Sequence, residues 1–223
     1  MKVCILQSNF LPWRGYFDLM RESGLFIVYD DAQYTKNDWR NRNRIKTPRG
    51  AQWITVPVHR RLRQSIEETP IDYTRPWAEK MLNQIRESYR DAPHFEPYFS
   101  ELKDLLERPA SSISELNLRT IAWACRHLGI DTPVRLSREY RSQGVKTERL
   151  IGILRQAQAT SYLTGPAAQS YLVPEMFEQA GIRLEYKQYR YPEYGQLYPP
   201  YDPAVSVIDL FFMQGEAARD CFG

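Results

Sequence analysis

The stretch KVCILQSNFLPWRGYFDLMRESGLFIVYDD, residues 2–31, decides the fold. Apolar runs at 2–6 and 25–29 predict two short buried strands. Between them, Pro12 breaks the chain, and residues 15–23 have the pattern of a short helix that ends at Gly24. A strand, a helix and a second strand in about 30 residues form a βαβ unit, and such units build parallel sheets with right-handed crossovers.

The rest of the chain continues this alternation. Further strands are predicted at 39–45, 52–58, 134–136, 161–164 and 182–186, and helices at 77–90, 98–107, 112–128, 147–159, 167–180 and 205–213. Residues 59–75 have the composition of an irregular, mobile loop. The pattern predicts an α/β fold with a Rossmann-like, mostly parallel sheet and flanking helices. We expect one domain over 1–223, with a mainly helical insert or subdomain at about 76–128.

Composition excludes several classes of protein. No apolar run approaches the ~18–20 residues of a membrane helix, and the apolar N-terminal stretch is too short for a signal peptide. Three cysteines far apart in the sequence favour neither a disulfide framework nor a zinc site. We therefore expect a cytoplasmic protein without membrane insertion. Oligomeric state stays open.

Polar segments follow three of the predicted strands. They begin at Gln7, at Asp30 and at Gly165. In an open parallel sheet, ligands bind outside the carboxyl ends of the strands. The first segment combines a strand end, a turn with Pro12 and a helix start at Gly15, which is the form of a phosphate site. Arg14 would add a cation there.

Asp30 and Asp31 are the candidate catalytic residues. A carboxylate at a strand end suits a general base or a Mg²⁺ ligand, and either aspartate is a candidate for the metal. The alternative is a turn in which Asp31 caps the next element. The cofactor is otherwise unknown.

Residues 36–63 carry nine Lys or Arg and one acid, Asp38, in a chain of net charge +3. In a strand over 39–45, Arg40, Arg42 and Arg44 would share one face. Three guanidinium forks on one face suit a phosphate or a carboxylate. The alternative is a solvated edge strand kept soluble by charge.

Asp209 lies in an apolar helix, where a carboxylate needs a partner. We expect it either to pair with an arginine of the basic strand or to bind substrate. The full set of candidate ligand-binding residues is Gln7, Arg14, Gly15, Gln33, Lys36, Arg40, Asn41, Arg42, Asn43, Arg44, Gly165 and Asp209.

Two resemblances add to these patterns. The first βα unit is similar to that of the nucleotidylyltransferase-like superfamily, in which a Pro-containing loop leads to an H-x-G-H helix start. In Pro12-Trp13-Arg14-Gly15-Tyr16 the glycine matches, but both histidines are absent. Those imidazoles contact phosphates, so their absence argues against standard nucleotidyl transfer.

The second resemblance covers essentially the whole chain. The stretch QSNFLPWRGYF at 7–17, DDAQYTK at 30–36, WRNRNRIK at 39–46, LTGPA at 163–167 and SVIDLFFMQG at 206–215 resemble blocks of the WbqC-like protein family. Met213-Gln214 departs from that family, in which an Asn is expected near the final Gly. The resemblance implies surface-polysaccharide biosynthesis, including O-antigen clusters, and supplies no catalytic residues.

The leading hypothesis is a transferase or ligase-like enzyme. Its substrate would be a nucleotide-linked or phosphorylated metabolite, with an amino sugar nucleotide as one candidate. The alternatives are a non-catalytic sugar-nucleotide-binding protein and an RNA-binding module. Because the basic stretch is local and the remainder slightly acidic, nucleic acid is not the expected partner.

Overall fold

The computed structural model describes residues 1–222, in which seven strands form two sheets. The strands are β1 (Lys2–Leu6), β2 (Leu25–Val28), β3 (Arg42–Thr47), β4 (Gly50–Thr55), β5 (Val134–Leu136), β6 (Ser161–Thr164) and β7 (Arg183–Tyr186). The α-helices are α1 (Arg14–Glu22), α2 (Trp77–Tyr89), α3 (Phe95–Glu107), α4 (Ile113–Leu128), α5 (Lys146–Gln156), α6 (Pro174–Gln179) and α7 (Val207–Gln214). Short 3₁₀ turns occupy Ser137–Glu139, Pro166–Ser170 and Gly215–Asp220.

The main sheet has the order β5-β2-β1-β6-β7, and all of its pairings are parallel. The chain moves outward from β1 through β2 to β5, then returns to place β6 on the other side of β1. The strand order therefore reverses between β1 and β6, the switch point at which open α/β sheets bind ligands. The predicted α/β fold with a Rossmann-like parallel sheet is confirmed.

Alternate residues of the central strands point into two cores. Cys4, Phe26 and Val28 pack with α1, α7 and the helical block α2–α4. Val3 and Ile27 pack against α5 and α6 on the other face. The prediction of one domain over 1–223, with α2–α4 as a helical insert or subdomain, stays a prediction. Gly223 lies outside the described residues.

The antiparallel hairpin β3–β4 differs from its prediction. Strand β3 begins at Arg42 and runs to Thr47, so the predicted strand at 39–45 is displaced by three residues at its start. Trp39 precedes the strand because its carbonyl oxygen accepts a hydrogen bond from the amide of Phe10, 2.9 Å away. Strand β4 runs from Gly50 to Thr55, so the predicted strand at 52–58 is displaced toward the N-terminus. The turn is a tight one, since Thr47 pairs directly with Gly50, which has φ +90°.

Two of the predicted helices also differ from the structure, whereas a third matches it. Helix α3 begins at Phe95 because Pro97 lies in its first turn, where proline is tolerated. The predicted helix at 167–180 is divided into a 3₁₀ turn and the short α6, which begins at Pro174. Helix α4 matches its prediction: Ser112 caps the amide of Glu115, and Gly129 ends the helix at φ 65°.

Candidate functional site

The carboxyl edge of the main sheet collects the polar residues that follow β1, β2, β5 and β6. Asp30 follows β2 and is buried. Its Oδ1 accepts from the amide of Ser8, at 2.8 Å, and its Oδ2 accepts from the hydroxyls of Ser8, at 2.6 Å, and Ser114. Because Ser8 follows β1 and Ser114 lies in the first turn of α4, Asp30 joins the ends of two strands and a helix.

Asp31 makes a second connection at the same edge. Its Oδ1 accepts a hydrogen bond from the hydroxyl of Ser137, 2.6 Å away, which directly follows β5. Its Oδ2 forms an ion pair with Arg149 of α5, and that guanidinium lies over the ring of Tyr29. The adjacent aspartates therefore point to different partners, as expected for neighbouring residues in an extended segment.

Arg40 lies at the end of β1. Its Nη1 donates to the carbonyl of Ser8, 3.2 Å away, and to the side chain of Asn9. Asn117 of α4 supports this arrangement, since its amide donates to the carbonyl of Arg40 at 2.9 Å and to the Ser8 hydroxyl at 3.0 Å. The strand-end site consists of these residues: Ser8, Asn9, Asp30, Arg40 and Asn117.

The Arg40 side chain is only 11% exposed, yet much of its hydrogen-bonding capacity is free. Within residues 1–222, its Nε is buried without a partner. The Asp38 carboxylate lies 3.6 Å from Nη2, beyond hydrogen-bonding distance. Burial lowers the pKa of Arg40, which is the direction expected for a desolvated cation.

Loop residues after β6 complete the surroundings of Arg40. Gly165 directly follows β6, and a Cβ there would lie 3.3 Å from the hydroxyl of Tyr189. Tyr171 follows the 3₁₀ turn and is exposed. Burial of part of its ring raises the pKa of Tyr171, and the charge of Arg40 opposes that rise, which places the two within electrostatic reach.

Arg40, Arg42 and Arg44 do not share one strand face as expected, because β3 begins only at Arg42. Arg40 precedes the strand and turns toward β1. Arg42 lies over the indole of Trp53, 4.1 Å from the ring centroid, and donates to the carbonyl of Asn37. Arg44 lies 3.6 Å from the carboxylate of Asp202. Each guanidinium therefore has a separate partner.

Arg14 and Asp209 belong to a second polar region, the tyrosine cap. It consists of Arg14, Tyr191, Tyr194, Tyr201 and Asp209. Arg14 donates to the carbonyls of Pro192 and Cys221 and to the hydroxyl of Tyr201, and its guanidinium lies over the Tyr191 ring at 4.3 Å. The expected phosphate cation instead holds the C-terminal segment in place.

The expected ion pair between Asp209 and an arginine is also wrong. The hydroxyls of Tyr89 and Tyr194 donate to its two oxygens at 2.8 and 2.7 Å, and the Gln196 amide donates at 2.9 Å. Burial raises the pKa of Asp209 although these hydrogen bonds act in the opposite direction. Asp209 is fully buried, so this structure gives a ligand no access to it.

The remaining candidates are dispersed. Asn41 donates to the carbonyl of Val56, and Asn43 donates to the carbonyls of Phe10 and Leu11. Gln33 and Lys36 are exposed on the segment after β2. Of the predicted binding residues, Gln7, Arg40 and Gly165 lie at the strand ends on either side of the switch point.

Gly15 has a steric role at the start of α1. A Cβ on Gly15 would lie 2.3 Å from the indole of Trp13, which packs against Tyr189 and Tyr191. Glycine is therefore required for the close approach of this ring, whatever α1 binds.

The sequence interpretation missed four residues of this edge: Ser114, Asn117, Arg149 and Tyr171. Ser114 and Asn117 are polar residues on the buried face of α4, and that position was the available signal. No pattern distinguishes Arg149 or Tyr171 from surface residues.

A cleft of about 290 Å³ opens beside Asp30. Ser114, Ser137 and Arg138 are among its lining residues. The residues present do not fit Mg²⁺, which binds through oxygens that are free to coordinate it. Asp30 already accepts three hydrogen bonds, and Asp31 is neutralised by Arg149. Within residues 1–222, no three His, Cys, Asp or Glu side chains form a metal-binding group.

Comparisons with known proteins agree with the resemblance seen in the sequence. The profile of the WbqC-like protein family matches residues 7–221. The uncharacterised protein Rv1507c of Mycobacterium tuberculosis is 46% identical in an alignment of 223 positions. The alignment covers 98% of this chain and 96% of that protein. No solved structure matches the chain.

Proposed function

Because the chain belongs to the WbqC-like protein family, we propose that it is a transferase or ligase-like enzyme of surface-polysaccharide biosynthesis, such as that of O-antigen. Its substrate is a nucleotide-linked or phosphorylated metabolite, and an amino sugar nucleotide is the first candidate to test. The family supplies the biosynthetic context, whereas the strand-end site supports the substrate class. A cytoplasmic location, where nucleotide-linked sugars are made, is part of the proposal.

The single observation that carries the proposal is the largely buried Arg40 guanidinium at the end of β1. Asp38 is the nearby carboxylate, 3.6 Å from Nη2, but neither Nε nor Nη2 has a hydrogen-bond acceptor within the described residues, which is costly for a desolvated guanidinium. A phosphate group would accept those hydrogen bonds. The switch point is also the place where parallel sheets bind nucleotides.

The residues around Arg40 suit the rest of such a ligand. Gly165 has no side chain, so a ligand can approach the protein backbone directly after β6. The exposed Tyr171 offers an aromatic face to a base or a sugar. The amide of Gln7 is available to read a hydroxyl or a base.

Asp30 and Asp31 are the proposed catalytic carboxylates, and Asp30 is the better placed of the two. It lines the cleft of about 290 Å³. Its hydrogen bonds use three of the about four acceptor positions of a carboxylate. The remaining position would accept a proton from the hydroxyl or amine of an acceptor substrate.

The test begins with a thermal-shift screen of the full chain against nucleotides and nucleoside diphosphate sugars, with and without Mg²⁺. A ligand at 100 times its Kd stabilises the folded state by about 2.7 kcal/mol. Arg40→Ala should weaken binding of the selected ligand by roughly 10- to 150-fold, the equivalent of 1.5–3 kcal/mol for a charged hydrogen bond.

Arg44→Ala is the matched control, because it removes a guanidinium of the adjoining strand β3 whose partner is Asp202. Arg40→Lys keeps the charge and loses the fork, so it should bind with intermediate affinity. Equal affinity of the Arg40→Ala and Arg44→Ala variants would contradict the proposal.

A non-catalytic sugar-nucleotide-binding protein is the second candidate. The observation in its favour is that Asp30 connects Ser8 and Ser114, which is also what a purely structural carboxylate would do. Tight binding without turnover across a panel of donors and acceptors would select this alternative.

A further inference from the structure

Leu62 is the most exposed large apolar side chain among the described residues, with 90% of its surface accessible. It lies between exposed arginines in the sequence His59-Arg60-Arg61-Leu62-Arg63. Exposure of an aliphatic side chain to water is unfavourable. A leucine flanked by arginines suits contact with a membrane surface, where anionic headgroups cover an apolar layer.

Two tryptophans lie beside this loop. Trp39 and Trp53 are 38% and 42% exposed, and their ring centroids are 5.2 Å apart. The loop packs along the segment that leads to Trp39, since the amide of Tyr34 donates to the carbonyl of Gln64 at 2.8 Å. The arginine–tryptophan surface consists of Trp39, Trp53, Arg60, Arg61, Leu62 and Arg63.

A second backbone hydrogen bond joins the two segments, from the amide of Ile66 to the carbonyl of Ala32 at 3.0 Å. Burial raises the pKa of Tyr34, and the charges of both Arg60 and Arg42 oppose that rise. Arg42 also contacts Trp53. Tyr34 is therefore within electrostatic reach of both the loop and the arginine that covers Trp53.

The cations of this surface lack internal counter-charges. In residues 1–222, the side chains of Arg60, Arg61 and Arg63 have neither a hydrogen-bond nor an ion-pair partner, whereas nearby acids are engaged. Glu68 accepts hydrogen bonds from Ser65, and Asp72 lies 3.4 Å from His59. The net positive charge is left facing solvent.

We propose that the arginine–tryptophan surface docks the protein on anionic phospholipid headgroups. The arginines contact lipid phosphates, while Leu62 and the indoles reach the boundary between headgroups and acyl chains. Docking of this kind is peripheral, and none of the described helices has the length and apolar character needed to cross a bilayer.

Leu62 and the packing of the two tryptophan rings favour lipid over RNA as the partner of this surface. A leucine at a loop tip cannot stack on a base as an aromatic ring does. The guanidinium of Arg42 covers the Trp53 ring at 4.1 Å, and Trp39 packs against the same indole. The faces of the Trp53 ring are therefore partly occupied against base stacking, while the exposed 42% of the residue can still contact a lipid headgroup.

Sedimentation of the full chain with vesicles tests the proposal. We expect binding to vesicles of phosphatidylcholine with phosphatidylglycerol, and none to phosphatidylcholine alone. Replacing Arg60, Arg61 and Arg63 together by Glu should weaken binding at least about 100-fold, because three surface cations are lost. A control variant with Glu at Arg141, Arg155 and Arg183, which are exposed elsewhere, should bind far more tightly than the loop variant.

Leu62→Ser and indole fluorescence test the apolar contribution. Leu62→Ser should weaken vesicle binding severalfold at unchanged charge. Vesicles should shift tryptophan emission to shorter wavelength, and the double variant Trp39→Phe/Trp53→Phe should lose the shift, because Trp77 and Trp123 are buried and the half-buried Trp13 lies outside this surface, packed against Tyr189 and Tyr191.

Three results would overturn the proposal: no binding to anionic vesicles, equal loss of binding in the loop variant and its charge-matched control, or tighter binding to a single-stranded RNA oligonucleotide than to vesicles. The last result would assign the surface to RNA. None of these measurements depends on the ligand of Arg40, so docking and the proposed enzymatic function fail independently.

Discussion

The strand-end site and the tyrosine cap each contain a largely buried arginine and a buried aspartate, but the two regions use them differently. In the tyrosine cap, both terminal nitrogens of Arg14 donate to protein oxygens, and two tyrosines and a glutamine surround Asp209. Nε is buried without a partner in both arginines, but Nη2 of Arg14 donates to Tyr201, whereas Nη2 of Arg40 makes no hydrogen bond within residues 1–222. Asp30 also lines an open cleft, whereas Asp209 is fully buried. The difference teaches that burial of a charge does not by itself indicate a ligand site, and that accessibility and unused hydrogen-bonding capacity have to be compared as well.

The largest expected effect concerns Asp30. If it is the general base, Asp30→Asn should reduce turnover by about 10²–10⁴-fold with little change in ligand affinity. Rates and affinities are to be measured with the substrate selected by thermal shift. Asp31→Asn should have a smaller effect, because Arg149 already neutralises Asp31.

Ser114→Ala separates catalysis from structure at the same carboxylate. It removes one donor to Asp30 and keeps the charge. An equal loss of turnover in Ser114→Ala and Asp30→Asn would make Asp30 a structural connector.

Arg14→Ala should destabilise the protein by about 3 kcal/mol. The substitution leaves two carbonyls and a tyrosine hydroxyl without their charged donor. Urea denaturation gives the free energy of unfolding, and Arg21→Ala on the exposed side of the same helix should change it by no more than about 0.5 kcal/mol. A near-neutral Arg14→Ala would mean that the tyrosine cap does not depend on its cation.

Gly15→Ala should cost about 1–3 kcal/mol, the range for overpacking, because the added methyl group overlaps the Trp13 indole. Gly195→Ala is the control: its Cβ would have no heavy atom within 4 Å and its φ is not positive. Thermal denaturation compares the two variants. Similar midpoints would show that Trp13 moves aside without loss.

The smallest effect is the pH dependence that Asp209 adds. Its pKa is raised by burial, so above the ordinary value of 3.8 the folded state holds the proton more tightly than the unfolded state. Stability from this group is present at low pH and declines as pH rises through the folded pKa, by at most about 1.4 kcal/mol per pH unit. Asp209→Asn should remove that decline, and urea denaturation at a series of pH values above 3.8 measures it. Parallel pH profiles for wild type and variant would contradict the assignment.

The sequence was sufficient for the main sheet because its strands are short apolar runs separated by amphipathic helices. The same logic placed Gln7, Asp30 and Gly165 at one edge, since the carboxyl ends of parallel strands must meet there. The sequence was insufficient to predict the register of the β3–β4 hairpin. Alternating Arg and Asn residues have the same period in any register, so tertiary contacts, such as that of Trp39 with Phe10, determine where β3 begins.

The partners of Arg14 and Asp209 were also beyond local patterns. Both bind residues of the Tyr/Pro-rich segment at 191–202, which contains no regular helix or strand. A hydroxyl in such a segment can reach many sites, and only its packing in three dimensions selects one.

The position of β1 has a consequence for how the chain folds. Cys4 pairs with Phe26 on one side and with Leu163 on the other, so the central strand needs a neighbour from far along the chain. Contacts between distant segments slow folding. During synthesis, one edge of the apolar β1–β2 pair stays open until β6 has emerged, and an open apolar edge invites pairing between chains. The strand that brings Ser8 to Asp30 is therefore also the place where the nascent protein is most exposed to misassembly.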